Sequence, residues 1–122
     1  MEKRIWHEAY DEGTPADLEI ERIDLARQFQ RTVQNFGRRP AVHFMNRRMN
    51  YLELDDHVGR FAAALKELGV GKGTRVAVHM PNLPQTLIAV TAVFRLGGLV
   101  VMTNPLYVGP EIEHQWHDAG CE

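Results

Sequence analysis

RVAVHMPNLPQTLIAVTAVFRLGGLVVMTNPLYVGPE, residues 75–111, carries a single formal charge between its two end residues, Arg95. Its pattern reads as a strand over Thr74–Met80, a helix over about Leu83–Leu96, a strand over Leu99–Thr103 and a loop. Apolar residues this unbroken, punctuated by Gly and Pro, describe elements covered on both faces. Strand, helix and strand over this span call for a right-handed crossover, which makes the two strands parallel. A chain of 122 residues supplies few neighbours to cover such a unit. The stretch therefore points to a piece of a larger α/β protein.

Beyond it, Gly109-Pro110 opens a helix that closes near Gly120. Pro suits the first helical position, and Glu111 is favourable in the first turn. An alternating β/α pattern next requires another parallel strand. Cys121-Glu122 is where that strand is expected to begin, so the topology predicts a truncation.

Upstream, Leu25, Phe29, Val33 and Phe36 form one apolar stripe, which predicts a helix over Asp24–Phe36 stopped by Gly37. Pro40–Met45 reads as a strand, Asn46-Arg47 as a tight connection and Arg48–Asn50 as the return strand of a hairpin. Asn50 and Glu53 have capping-box spacing, in which the cap side chain and the third helical residue satisfy each other's amides. Leu54, Val58, Phe61, Ala62, Leu65 and Leu68 then mark the buried face of a helix ended by Gly69. Asn82, with Gln85 three residues later and Pro84 between them, has the same capping signature for the next helix. Residues 1–21 are polar, aromatic-speckled and aperiodic and read as an extended arm. Trp6 and Tyr10 either pack back on the domain or anchor the arm on a partner subunit, a homodimer contact.

Bulk properties exclude several classes. A net charge of −2, well mixed along the chain, leaves no overall footprint for nucleic acid. The single Cys121 rules out an internal disulfide framework and suits a reducing cytosol. The first residues, MEKRIWHEAYDEG, contain no apolar core of a secretory signal. The uncharged Leu83–Phe94 run falls short of the ~20 apolar residues of a membrane span.

Candidate chemistry is sparse. Gly69-Val-Gly-Lys-Gly-Thr74 imitates a phosphate loop, but it follows a helix, precedes a strand and has Gly73 after Lys72. A P-loop requires the reverse context and Ser or Thr after the Lys. Glu113 and His117 share a helix face, which supplies two metal ligands where a site needs more. His79, in an apolar strand, is expected to be a satisfied core histidine. His7, His43 and His57 show no spacing that implies a site, and no nucleophile–base pair or GxSxG elbow occurs.

Linked motifs then supply an identity. PNLPQ at residues 81–85, AVFRLGGLVVMTNPLY at 92–107 and GPEIEHQWHDAG at 109–120 closely resemble the long-chain fatty-acyl-CoA synthetases of the acyl/aryl-adenylating (AMP-forming) superfamily. Asn50-Tyr51-Leu52-Glu53-Leu54 and Gly71-Lys72-Gly73-Thr74-Arg75-Val76 occupy the places of two earlier family signals, and KRIWHEAY resembles the start of bacterial fatty-acid members. The resemblance covers nearly the whole chain. It implies a fold that is part of the N-terminal domain of an adenylate-forming enzyme: arm 1–21, then an incomplete N-terminal α/β subdomain of an AMP-binding domain over 22–122. It implies an ATP-dependent fatty acid–CoA ligase, with ATP, CoA and Mg²⁺ as the full-length enzyme's cofactors and fatty acid as its substrate. A cytoplasmic location, with peripheral contact at the inner face of the membrane, goes with it.

The family's Ser/Thr/Gly-rich phosphate loop, ribose contact, hinge and C-terminal lysine find no match in this sequence. No catalytic, cofactor-binding or metal residue is carried over, and the chain alone is expected to be inactive. Asn50, Tyr51, Glu53, Gly97, Gly98, Asn104, Pro105 and Tyr107 match the family as folding signals. The loop Asn104–Tyr107 is also a candidate pocket edge, because α/β ligand crevices form beyond carboxyl ends of strands. Fatty-acid members usually carry Thr-Pro-Arg-Glu-Leu where this chain has Val108-Gly109-Pro110-Glu111-Ile112, a departure that bears on subfamily and chain-length preference. The competing readings are another acyl- or aryl-acid ligase and a non-catalytic dimerisation module.

Overall fold

The computed structural model describes residues 4–121, with mixed α and β elements in the expected order. A short 3-10 turn, Ile5–Ala9, lies in the arm; the helices are α1 (Leu25–Phe36), α2 (Tyr51–Glu67), α3 (Pro84–Arg95) and α4 (Gly109–Ala119). The strands are β1 (Pro40–Phe44), β2 (Arg47–Asn50), β3 (Arg75–Val78) and β4 (Leu99–Met102). β1 and β2 form an antiparallel hairpin, while β3 and β4 pair in parallel from Arg75↔Leu99 to Val78↔Met102. The parallel βαβ unit read from residues 75–111 is therefore present.

Local chemistry explains most boundaries. The Asp24 carboxylate accepts the Arg27 amide at 2.7 Å and starts α1. At α2 the capping box is complete: Asn50 Oδ1 accepts from the Glu53 amide at 2.9 Å, and Glu53 Oε2 accepts from the Asn50 amide at 2.8 Å. Gly69, at φ +91°, ends α2 in the left-handed region that favours glycine.

The core sits between α2 and α3, where Leu54, Val58, Ala62 and Ala92 are buried together. Phe29 of α1 and Val42 and Met49 of the hairpin pack against this cluster. Arg95, the single charge inside the apolar stretch, pairs with Asp55 of α2 at the partly buried margin of the core. A charge there requires a partner, because desolvation without one is costly. The buried hydroxyls of Thr86 and Thr91 donate to the carbonyls of Pro81 and Leu87 at 2.6 and 2.7 Å.

Several expectations are corrected. The hairpin turn is Met45-Asn46 rather than Asn46-Arg47, with Phe44 opposite Arg47 and Met45 at φ +53°. Gly37 does not end α1 by a left-handed twist; its φ is −45°. It leaves room instead, since a Cβ there would stand 2.9 Å from Leu52 Cγ. Asn82 does not cap α3: Leu83 is the cap residue, with no side-chain hydrogen bond, and Pro84 stands first in the helix without an N–H to satisfy. Pro110 is the second rather than the first residue of α4. β3 stops at Val78, where β4 runs out of pairing residues, so His79 and Met80 lie beyond the strand. Phe61 and Leu68, assigned to the buried stripe of α2, are exposed, as are Leu25 and Phe36 at the two ends of the α1 stripe.

Candidate functional site

The carboxyl ends of β3 and β4 open on one side of the parallel pair. β3 leads into Met80-Pro81-Asn82 and β4 into Thr103-Asn104-Pro105, and these two segments, with Met102, line a crevice of about 400 Å³. That is where α/β sheets place ligands. Asn104 shapes its edge: its Oδ1 accepts from the Leu106 amide at 3.0 Å and its carbonyl accepts from the Tyr107 amide at 3.0 Å. Asn is suited to such a turn because its side chain reproduces a backbone acceptor.

α4 braces this edge from behind. Trp116 Nε1 donates to Thr103 Oγ1 at 2.8 Å, and Gln115 Nε2 donates to the Met102 carbonyl at 3.1 Å. Thr103 is only 2 % exposed, so this bond satisfies a group that water cannot reach. The His79 ring meets Trp116 edge to face, with centroids 6.5 Å apart. His79 is not the satisfied core histidine expected, for its Nε2 is buried without a hydrogen-bond partner, as is Gln115 Oε1. The Thr103–Trp116 bond escaped the sequence reading. The only hint was a donor-bearing Trp one helix beyond the Thr that ends an apolar strand.

The lining of the crevice is amide, hydroxyl, thioether and proline, without an ionisable side chain. It can position a ligand and exclude water but cannot transfer a proton or hold a phosphate by charge. The glycine turn does not fill that gap. The Gly71 amide donates to Thr74 Oγ1 at 3.1 Å and the Gly73 amide to the Gly97 carbonyl at 3.0 Å, so neither is free for a phosphate. Glu113 and His117 lie on α4, and among the described residues no three His, Cys, Asp or Glu side chains converge. These residues do not fit ATP, CoA or Mg²⁺ on their own.

The mixed α/β fold with its parallel pair is that of an adenylate-forming enzyme's N-terminal region, and the chain belongs to the AMP-binding enzyme family, whose model matches residues 29–122. The curated relatives it matches include the long-chain-fatty-acid–CoA ligases of Escherichia coli O157:H7 and Yersinia pestis. The first is 37% identical over 98% of this chain and the second 39% identical over 99%. In both cases the chain spans 22% of the relative's length. Among solved structures, the N-terminal subdomain of Klebsiella oxytoca NpsA superposes with a TM-score of 0.78 at 26% identity, covering 81% of this chain and 26% of that one. O-succinylbenzoate coenzyme A synthetase from Bacillus subtilis, in complex with AMP, gives 0.73 at 27% identity, covering 76% of this chain and 24% of that one. Among the described residues, no helix is long and apolar enough to cross a membrane.

Proposed function

We propose that the protein to which this chain belongs is an ATP-dependent long-chain fatty acid–CoA ligase acting in the cytoplasm. The supporting observation is identity of 37% and 39% to such ligases across essentially the whole chain. In the reaction a fatty carboxylate oxygen attacks the α-phosphorus of ATP and pyrophosphate leaves. The CoA thiol then attacks the acyl carbon, and AMP leaves with the C–O bond electrons. Mg²⁺ would accompany the nucleotide, as it commonly neutralises phosphoryl charge. Residues 22–122 serve as an incomplete N-terminal α/β subdomain, and their part is to build the Met80–Asn82 and Thr103–Pro105 crevice wall.

A second reading is an aryl-acid ligase. It is supported by the shape likeness to NpsA, whose N-terminal subdomain was solved in complex with anthranilyl-AMSN. Acyl-CoA formation by the whole protein, compared between palmitate and anthranilate, separates the two. Palmitate is expected to be favoured at least a hundredfold in kcat/KM, about 3 kcal/mol of transition-state discrimination. Preference for the aryl acid would sink the fatty-acid reading. The 122-residue chain by itself is expected to give no fatty-acid-dependent ATP–pyrophosphate exchange, and measurable exchange would overturn its assignment as scaffold.

The arm, residues 1–21, is proposed to mediate a homodimer. The Arg4 guanidinium stands 5.3 Å from the Trp6 ring centroid, and His7 contacts both Trp6 and Tyr10, which stay substantially exposed. Exposed aromatics of this kind are enriched at interfaces. Deleting residues 1–21 from the whole protein should halve its mass in sedimentation equilibrium; an unchanged mass would refute the arm's role.

A further inference from the structure

From Leu25 to Leu52 the chain contains no Asp or Glu, yet six arginines fall within it. Arg27 and Arg31 are neutralised locally, by Asp24 at 3.4 Å and by Glu21 at 2.8 Å. Arg38, Arg39, Arg47 and Arg48 flank or belong to the β1–β2 hairpin, and among the described residues no ion pair involves them. Two of these, Arg47 and Arg48, border a groove of about 650 Å³ between the hairpin, α2 and the start of α3, a size usual for a small-molecule site. Its one acid, Glu53, already accepts from the Asn50 amide. Two guanidinium charges against one carboxylate leave a single positive charge uncompensated. His57 also lines the groove, with its Nδ1 3.0 Å from the Arg60 guanidinium. A guanidinium only donates, so Nδ1 accepts and Nε2 carries the ring proton, a further donor. Pro84 and Gln85 begin α3, whose cap residue Leu83 gives no side-chain bond, so the positive end of a helix borders the groove as well.

The lining changes character along its length. Val42, Phe44 and Pro84 belong both to this groove and to a second one of about 460 Å³, which continues to Leu87, Val90 and Met102. The second groove has no Asp, Glu, Lys or Arg in its lining. Leu87 and Met102 stand 42% and 52% exposed. One end of the joined grooves thus offers guanidinium groups and the other offers exposed hydrocarbon, with shared apolar side chains between them.

We propose that the joined grooves bind a single-chain amphiphile with one negative charge, its head at Arg47 and Arg48 and its alkyl chain crossing Val42, Phe44 and Pro84 towards Leu87 and Met102. An alkyl carboxylate meets each demand: one charge, a planar head that guanidinium groups hold by paired N–H bonds, and a tail for the apolar run. Inorganic phosphate makes no use of that run, and a polyanion such as RNA carries more charge than the groove balances. An alcohol of the same length leaves the arginines unanswered. Each methylene laid on the apolar run should tighten binding roughly twofold to fourfold, so affinity should rise with chain length. The inference does not rest on the ligase reading, because binding needs neither ATP nor CoA.

The test is photolabelling of the whole protein, without ATP or CoA, by a palmitate analogue carrying a diazirine in mid-chain, used below its micelle concentration. Adducts should map to residues 42–49 and 84–90. Palmitate should suppress them, octanoate more weakly, and hexadecanol about tenfold less well than palmitate. The double variant Arg47→Gln/Arg48→Gln should lose about tenfold in labelling, and Leu87→Ser severalfold. Both variants change exposed side chains, and an unchanged thermal transition would confirm folding. The competition series uses the unaltered protein and decides the matter whether or not a variant folds. Adducts absent from these residues, hexadecanol matching palmitate, or undiminished labelling of the folded double variant would each overturn the proposal. Groove labelling of a protein that forms no acyl-CoA would sink the ligase reading alone.

Discussion

Leu54→Ala is expected to lower the unfolding free energy of the chain by about 3 kcal/mol, within the range for a large-to-small change in a packed core. Leu54 is 1% exposed and belongs to the cluster that joins α2 to α3. Its loss removes buried methyl groups and leaves a cavity between two helices that cannot close it without moving the Arg95–Asp55 pair. With a urea m-value of about 2 kcal/mol/M, the midpoint should fall by about 1.5 M. Leu68→Ala is the control: the same chemistry at the C-cap of the same helix, at a position 80% exposed, should change stability by no more than about 0.5 kcal/mol. Similar losses at both positions would contradict the packing described for α2.

That pair of leucines also shows where the sequence was legible. The 3.6-residue rhythm placed Leu54, Val58 and Ala62 correctly inside. It also enrolled Phe61, only about 20° around the helix from Leu54 but two turns further along it, and Leu68, which follows the last helical residue, Glu67. Periodicity tells which face is apolar, not how far along the helix a neighbour extends. The capping box at Asn50 was readable because both its partners are local. Asn82 carried the same signature and failed, because Pro84 at the first helical position moved the start of α3 beyond its reach.

The parallel pair could be read because two short, mostly apolar strands around a helix whose one charge, Arg95, is its last residue admit few arrangements. The crevice at its carboxyl end was anticipated only as the loop Asn104–Tyr107. Its other wall, Met80–Asn82, and its support by Trp116 depend on contacts between residues far apart in sequence. So does the missing hydrogen-bond partner of His79 Nε2. The hairpin arginines escaped a reading of the charge as well mixed, although Arg38, Arg39, Arg47 and Arg48 stand in a stretch, Leu25–Leu52, without Asp or Glu. A balanced total charge hid them, since summing over the chain erases a local excess.

Gly98→Ala should destabilise by about 2 kcal/mol, an overpacking penalty rather than a backbone one. Its φ lies outside the positive range taken by Gly97 at +76°, so an L side chain meets no conformational barrier there. The obstacle is space. A Cβ would stand 2.8 Å from Val93 Cγ1 and 3.1 Å from the Thr74 carbonyl oxygen, which already accepts the Leu99 amide at 2.8 Å. Relief would have to push α3 away from the start of β4, because the Gly98 amide also holds the Val93 carbonyl at 3.0 Å. Gly109→Ala, where nothing lies within 4 Å of the new Cβ, should be neutral or stabilising by up to about 1 kcal/mol. The two explanations for Gly98 part at the double variant. If Val93 Cγ1 is the principal clash, Gly98→Ala combined with Val93→Ala should cost less than the sum of the single changes, by roughly 0.5–2 kcal/mol of coupling. Strict additivity would move the fault to Thr74. The tight fit at Gly98 would then be set by the hydrogen bond from the Leu99 amide to the Thr74 carbonyl, which holds the starts of the two strands together, with the side chain of Val93 merely accommodated beside it.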